Sequence, residues 1–259
     1  MHVTVITGAS MGIGEEFARQ LAARRHNLLL IARSEDRLRE LAADLEQRYG
    51  ITARVFPCDL AREGAAARVH KFLVEEGIQP AWLINNAGFG LVGTVDSMEP
   101  HRLHDLMMLN VVTLVDLTRL LLPMMRLHRD SRIINVASTA AFQPIPFFAA
   151  YAASKTFVLH FSEALSEEMR GTDVKVLALC PGPTPTNFHV AAEIDAKAFE
   201  QGQSAAEVVR LGLLASDRGR AVFVTQRAWA NLGIRILPRL AVRFVTGMIA
   251  RKMLKKHQA

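Results

Sequence analysis

The sequence is poor in cysteine: its 259 residues include two, Cys58 and Cys180. They stand far apart and form no CxxC pair, which excludes a disulfide-stapled framework and a cysteine-based metal site. Both are read as small buried hydrophobes in a reducing compartment. No cluster of histidines and carboxylates has metal-ligand spacing either, so no metal is expected, and His101 and His104 are read as one polar helix face. A Pro/Gly/Ser-rich linker, a low-complexity tract and a solenoid-type repeat are all missing, which leaves a single domain over residues 1–259 as the simplest organisation. The chain enters a strand-like run, His2-Val-Thr-Val-Ile-Thr7, with no signal-peptide pattern before it, and the expected location is the cytoplasm.

Acidic residues are missing from the tail. Net charge is +6, and Arg235, Arg239, Arg243, Arg251, Lys252, Lys255 and Lys256 follow one another without a carboxylate between them. The arginines interrupt every apolar run there, so none reaches the roughly 20 residues of a membrane span. Residues 226–259 read as a basic amphipathic extension with two open roles. One is peripheral contact with an anionic membrane or cover over a lipid pocket; the other is a terminal helix packed on the domain or on a second subunit. The two aromatic residues of this extension, Trp229 and Phe244, form no interleaved series on which bases could stack, so nucleic acid is not an expected partner.

What is present is a regular beat. Apolar runs at 3–7, 27–32, 52–56, 81–84, 132–137, 174–179 and 221–225 alternate with helical spacing at 15–25, 37–48, 65–76, 103–127 and 152–170. Strand alternating with helix predicts an α/β fold with parallel strands joined by crossovers. The nearly continuous apolar character of the strands predicts helices on both faces of the sheet. Ligands of such a sheet bind at the carboxyl ends of its strands.

The first such end reads Thr7-Gly-Ala-Ser-Met-Gly-Ile-Gly14. Its glycines allow a tight turn and a close backbone approach, and the N–H groups opening the next helix suit a pyrophosphate. The spacing differs from GxGxxG, and glycines alone also fit a plain strand-to-helix corner; the position between an N-terminal strand and a helix favours a dinucleotide. At the second strand end, Ala32-Arg33-Ser34 offers no carboxylate for a ribose 2′-hydroxyl, whereas the Arg33 guanidinium suits a 2′-phosphate. NADP is therefore favoured over NAD, the alternative being that Arg33 is a solvated loop cation.

Further motifs stand at later strand ends or on the helices that follow: Asn85-Asn-Ala-Gly88, Asn110 in Leu-Asn-Val-Val, Ser138 thirteen residues before Tyr151, Lys155 four residues after it, and Pro181-Gly182. In this order they resemble the short-chain dehydrogenase/reductase family, NADP-dependent type, over about residues 2–225. The resemblance implies a single-domain Rossmann fold, with a doubly wound seven-stranded parallel sheet and helices on both faces. It also implies hydride exchange between NADP(H) and a carbonyl or alcohol. It assigns catalysis to Asn110, Ser138, Tyr151 and Lys155. Tyr151 would protonate the carbonyl oxygen, Ser138 would hydrogen-bond it, Lys155 would hold the nicotinamide ribose, and Asn110 would link Lys155 to a proton relay through a water. Lys155 and the oxidised nicotinamide are expected to draw the Tyr151 pKa down from its usual value near 10.

For the cofactor, the resemblance assigns Gly8, Ser10, Gly12, Ile13 and Gly14 to the pyrophosphate, Arg33 to the 2′-phosphate, and Asp59 and Leu60 to the adenine. Asn86, Ala87 and Gly88 would line the ribose; Pro181, Gly182, Thr184 and Thr186 would surround the carboxamide. Met11 departs from the pattern, standing where NADP-binding members often carry a basic residue, which leaves the 2′-phosphate to Arg33 with Ser10 or Ser34. The helices at 103–127 and 152–170 resemble those that pair subunits, so a homodimer or homotetramer is expected.

The substrate side is apolar: Phe89-Gly-Leu-Val, and Phe142-Gln-Pro-Ile-Pro-Phe-Phe148. With a lid expected over Asn187-Phe-His-Val-Ala-Ala, these segments predict a lipid-like ketone, 3-oxoacyl thioesters first and hydroxysteroids next. The bland alternative is that Phe147 and Phe148 only pack a loop, and His189 is read as a lid residue without a catalytic role. A second function class stays open: an NADP-binding regulatory protein without turnover.

Overall fold

The computed structural model describes residues 1–186, 188 and 202–225. Its strands are β1 (His2–Thr7), β2 (Leu28–Ala32), β3 (Ala53–Pro57), β4 (Gln79–Asn85), β5 (Ser131–Val136), β6 (Val174–Cys180) and β7 (Val222–Val224). Every pairing is parallel, and the spatial order is β3-β2-β1-β4-β5-β6-β7. The order reverses between β1 and β4, which opens a crevice at their carboxyl ends.

Both faces of the sheet are dry, because alternate residues of each strand point to opposite sides. Ile6, Leu28, Leu30, Ile84 and Leu177 pack against α1 (Gly12–Ala23), α2 (Glu35–Tyr49) and α7 (Ala205–Asp217). Val3, Val5, Leu29, Ile31 and Leu83 pack on the other side against α3 (Ala65–Glu75), α5 (Thr113–Met125) and α6 (Ala149–Glu168). Each fully buried leucine or isoleucine contributes roughly 1.5–3 kcal/mol. The expected doubly wound seven-stranded Rossmann sheet is thus present.

Local chemistry sets the helix ends. In α2, Glu35 and Asp36 stand at the positive pole, and Gly50 closes the helix in the left-handed region (φ 60°), donating its N–H to Glu46 O at 2.8 Å. A helix from Pro100 to Met125 joins α4 (Pro100–Met107), a π turn (Met108–Val112) and α5. By length and composition it could cross a membrane, yet its Leu117, Leu121 and Met125 face lies against the sheet.

The amino-terminal edge of the sheet is tied by charge. The Arg132 side chain, 8% exposed, reaches Asp217 at 2.5 Å and Asp130 at 2.9 Å and lies 4.5 Å from the Trp82 ring centre. Arg24 at the end of α1 also pairs with Asp217, so α1, β5 and α7 are joined there.

Candidate active site

The Gly-rich turn after β1 and the Asn-Asn-Ala-Gly turn after β4 are bonded to each other across the crevice. Thr7 Oγ1 accepts from Asn86 N and Ala87 N at 2.9 and 3.0 Å, and Asn86 Nδ2 donates to Thr7 O and Gly8 O at 2.9 and 3.2 Å. Glycine is required at two of these positions. Gly8 has φ 65°, and a Cβ there would lie 3.0 Å from Ala87 Cα; a Cβ on Gly14 would lie 2.1 Å from Gly8 O. Gly14 therefore serves helix-to-strand packing and does not face the crevice. Met11 at the N-cap of α1 supplies no side-chain acceptor, so the first N–H groups of the helix are left for an anion.

The crevice widens into a cavity of about 1110 Å³. Gly8, Ser10, Gly12 and Ile13 line it beneath α1, and Arg33, Asp59 and Leu60 close one end. Asn86, Ala87 and Gly88 form its floor, while Pro181, Gly182, Thr184 and Thr186 stand at the β6 side. Ser138, Tyr151 and Lys155 complete the wall. Of the expected site residues, Gly14 and Asn110 alone stand behind this surface. The bare glycine turn, open helix N-terminus and long groove fit an anionic dinucleotide. Arg33 is exposed on the wall and makes no ion pair with a described carboxylate, which leaves it available to an added phosphate. Among the described residues there is no cluster of three or more metal-binding side chains, and both cysteines are buried and unbridged.

Ser138 caps the short 3₁₀ turn at Thr139–Phe142, its Oγ accepting from Ala140 N at 3.1 Å. Its hydroxyl also stands close enough to the Tyr151 phenol to act on its ionisation. Burial pushes the Tyr151 phenol up to about 12, with Ser138 opposing the rise. Burial likewise pushes Lys155 down to about 8. Lys155 Nζ donates to Val136 O at 2.8 Å and lies 5.8 Å from the centre of the Tyr151 ring. In the protein alone, loss of hydration governs the Tyr151 phenol; the expected lowering requires Lys155 together with an oxidised nicotinamide.

Asn110 lies in the π turn, fully buried. Its Oδ1 accepts from Phe89 N at 3.1 Å, and its Nδ2 donates to Phe89 O and to Ser154 Oγ, each at 3.0 Å. A second buried chain runs from Thr118 Oγ1 through Asn85 and Asn135 to Ser162 Oγ, joining α5, β4, β5 and α6 beneath the site.

The apolar side is built from rings. Phe148 stacks on Tyr151 at 4.4 Å between centres, and Phe188 approaches the same ring at 5.4 Å. Phe89, Ile145, Phe148 and Phe188 line the cavity, whereas Phe142 packs into the core beside β6. Apart from Phe188, the expected lid lies outside the described residues, as do His189 and the tail at 226–259.

Sequence reasoning missed Arg62 and Asp105 on the cavity wall: Arg62 pairs with Asp59 at 3.0 Å and with Asp105 at 3.3 Å. The Asp59–Arg62 spacing was the available signal; Asp105 has no local one. His101, read as part of a polar face, also reaches the rim.

Comparison with known proteins bears on this geometry. The family model described as short chain dehydrogenase matches residues 2–197. A very-long-chain 3-oxoacyl-CoA reductase of Pyricularia oryzae is 34% identical over 175 residues, 66% of this chain and 53% of that protein. The mouse 17-beta-hydroxysteroid dehydrogenase type 3 is 33% identical over 184 residues, 68% of this chain and 58% of that protein. The chain thus spans little more than half the length of these relatives. A short-chain dehydrogenase from Sphingobium yanoikuyae, solved in complex with NADPH, superposes with a TM-score of 0.81 at 30% identity, covering 99% of this chain and 96% of that one. With the parallel sheet, the glycine turn and the Ser138–Tyr151–Lys155 wall, these likenesses make the chain a member of the short-chain dehydrogenase/reductase family.

Proposed function

We propose that this protein is an NADP-dependent oxidoreductase that reduces the ketone of an apolar, lipid-like substrate, with 3-oxoacyl thioesters the leading class. The observation that carries the reading is the meeting, in one cavity, of the Ser138–Tyr151–Lys155 wall with the rings of Phe89, Phe148 and Phe188 and, at the far end, of Arg33. The Sphingobium neighbour's NADPH supports the cofactor, and the 3-oxoacyl-CoA reductase name of the Pyricularia relative supports the substrate class. Gly8, Ser10, Gly12 and Ile13 hold the pyrophosphate, Arg33 the 2′-phosphate, and Asp59 and Leu60 the adenine. Asn86, Ala87 and Gly88 flank the ribose, and Pro181, Gly182, Thr184 and Thr186 the carboxamide.

The bound cofactor supplies the hydride that reduces the carbonyl carbon. Tyr151, held protonated by burial, donates its proton to the carbonyl oxygen. Ser138 hydrogen-bonds that oxygen as negative charge gathers on it. Lys155 Nζ donates to Val136 O one helical turn from Tyr151, and its remaining protons would hold the ribose hydroxyls of the cofactor. Asn110, through its helix backbone and a water, would link Lys155 to a proton relay.

NADPH oxidation by wild type and Tyr151→Phe, against 3-oxoacyl thioesters of increasing length and bulky ketones, tests the reading. Wild type is expected to gain kcat/KM with chain length, and the variant to lose roughly 10²–10⁴-fold in turnover. Equal rates in both proteins would remove Tyr151 as the acid. A hydroxysteroid substrate is the second reading, favoured by the similar identity of the mouse 17-beta-hydroxysteroid dehydrogenase. Turnover of flat four-ring ketones in preference to acyl chains would select it, and tight NADPH binding with no turnover would select a regulatory protein.

Pairing into a homodimer or homotetramer belongs to the same proposal. Val112 beside α5 and Phe157 on α6 are large apolar side chains about 40% and 43% exposed. Light scattering on wild type and Phe157→Glu reads that pairing directly.

A further inference from the structure

The proposed reading assigns Asn110 a role but leaves open what holds it. Every polar atom of its side chain is used within the protein, and each bond constrains the next. Ser154 Oγ donates to Tyr151 O at 2.7 Å, which fixes the single hydroxyl proton and leaves the oxygen free only to accept. Asn110 must therefore present its Nδ2 to Ser154, and Phe89 confirms that orientation: its O accepts from the same Nδ2 while its N–H donates to Oδ1. A flipped amide would set donor against donor at Phe89 N and acceptor against acceptor at Ser154. Asn110 and Ser154 are each 1% exposed, so their bond cannot be exchanged for bulk solvent.

Three segments meet at this point: α6 with Tyr151 and Lys155, the π turn with Asn110, and the turn after β4 that forms the cavity floor. Gly88 lies between them. A Cβ there would stand 2.9 Å from Asn110 Oδ1 and 3.4 Å from Lys155 Nζ, so these two groups press on the same small space.

We infer that Ser154 is a positioning residue for the reaction: its hydroxyl locks the Asn110 amide and so holds Lys155, the π turn and the floor at Phe89 in one register. It touches neither substrate nor cofactor and acts through Asn110. This inference rests on the proposed reductase reading for its kinetic consequence but not for its structural one.

The test uses Ser154→Ala, Asn110→Ala and the double variant in the full chain, with Ser154→Cys as a nearly isosteric replacement, of weaker hydrogen bonding, should alanine fail to fold. Ser154→Ala is expected to lower kcat about tenfold with less than a threefold change in KM for NADPH, and to shift the alkaline limb of the kcat profile. The double variant is expected to be no slower than Asn110→Ala, because two residues acting in series do not add. Losses that multiply, or an unchanged pH profile beside a lower melting temperature, would overturn the inference and leave Ser154 a packing residue. Hydrogen exchange at the Phe89 amide, measured without any substrate, gives the structural arm. Exchange at least tenfold faster in Ser154→Ala supports the lock, and unchanged exchange refutes it. If wild type turns over no ketone, the reductase reading fails while the exchange result still decides the role of Ser154.

Discussion

At the scale of single residues, the site keeps two titratable groups away from their ordinary values, and both displacements come from burial. Tyr151 near 12 stays protonated at any physiological pH, which suits a donor in reduction. Lys155 near 8 loses its ammonium just above neutrality. The alkaline limb of kcat/KM for reduction is therefore expected near pH 8 and to belong to Lys155. The same shift opposes folding: Lys155 binds its proton less tightly folded than unfolded, so stability rises with pH between about 8 and 10.5. Below that window the penalty is fully present, and the displacement from 10.5 to about 8 corresponds to at most roughly 3–4 kcal/mol. Lys155→Met is expected to unfold at higher urea than wild type at pH 7 while losing turnover; a lower midpoint would show that the ammonium is well paired. Arg33 invites the opposite experiment. Arg33→Ala is expected to raise KM for NADPH roughly 10–100-fold, the worth of a charge-assisted hydrogen bond, and to leave KM for NADH within about threefold. Equal effects on both cofactors would move the 2′-phosphate elsewhere.

At the scale of elements, legibility followed burial. β2, Leu28–Ala32, is buried along its whole length and stood out as an unbroken apolar run. Helix α7 lies outside the stretches of helical spacing in the sequence, although its Ser204-x-x-Glu207 start is a capping signature, with Ser204 Oγ accepting from Glu207 N at 3.2 Å. The π turn around Asn110 has no pattern of its own, since it arises where α4 and α5 must bring Asn110 to Phe89 and Ser154. The order of motifs singled out residues most of which the fold brings to one cavity, but that Gly14 and Asn110 stand behind its wall is visible only in the structure. The loop at Gln143–Phe148 adds strain that no sequence pattern reveals. Phe147 sits at φ 64°, a region bulky side chains avoid, while its carbonyl accepts from Gly93 N at 2.9 Å. Such a conformation costs on the order of 1–3 kcal/mol and aims the next residue, Phe148, at the Tyr151 ring. Phe147→Asn, which tolerates this backbone, is expected to unfold at no lower temperature than wild type and to keep kcat/KM for the best ketone within a few-fold. Phe147→Val is expected to lose both. If valine matches asparagine in melting temperature, the strain is not local to this residue.

At the scale of the whole molecule, the two edges of the sheet do different work, and this separation can be measured. The carboxyl edge holds the cavity; the amino edge holds the Arg132 network and three histidines, His2, His26 and His128. His26 Nδ1 lies 3.0 Å from Thr4 Oγ1, its ring packs edge-on against Trp82, and burial lowers its pKa, with Arg24 and Arg132 adding to the effect against Asp130 and Asp217. His128, 4.3 Å from the His2 ring, is lowered by burial and by that neighbour. A histidine with a lowered pKa binds its proton less readily folded than unfolded, so the unfolded chain holds more protons below about pH 6.5 and stability falls as pH falls through that range. His26→Gln is expected to flatten this dependence between pH 7.5 and 5.5 in urea titrations. Asp217→Asn removes one carboxylate from the almost buried Arg132 but leaves Asp130 in place. Breaking a fully buried pair costs about 3–5 kcal/mol, and the partial exposure of Asp217 reduces the expected loss to roughly 1–2 kcal/mol. Neither variant touches the cavity, so NADPH affinity, read by fluorescence at a temperature where both are folded, is expected to stay within twofold of wild type. A larger change would mean that the amino edge reaches the cofactor through the sheet, and that α1, which meets Asp217 through Arg24 at one end and the cavity at the other, transmits it.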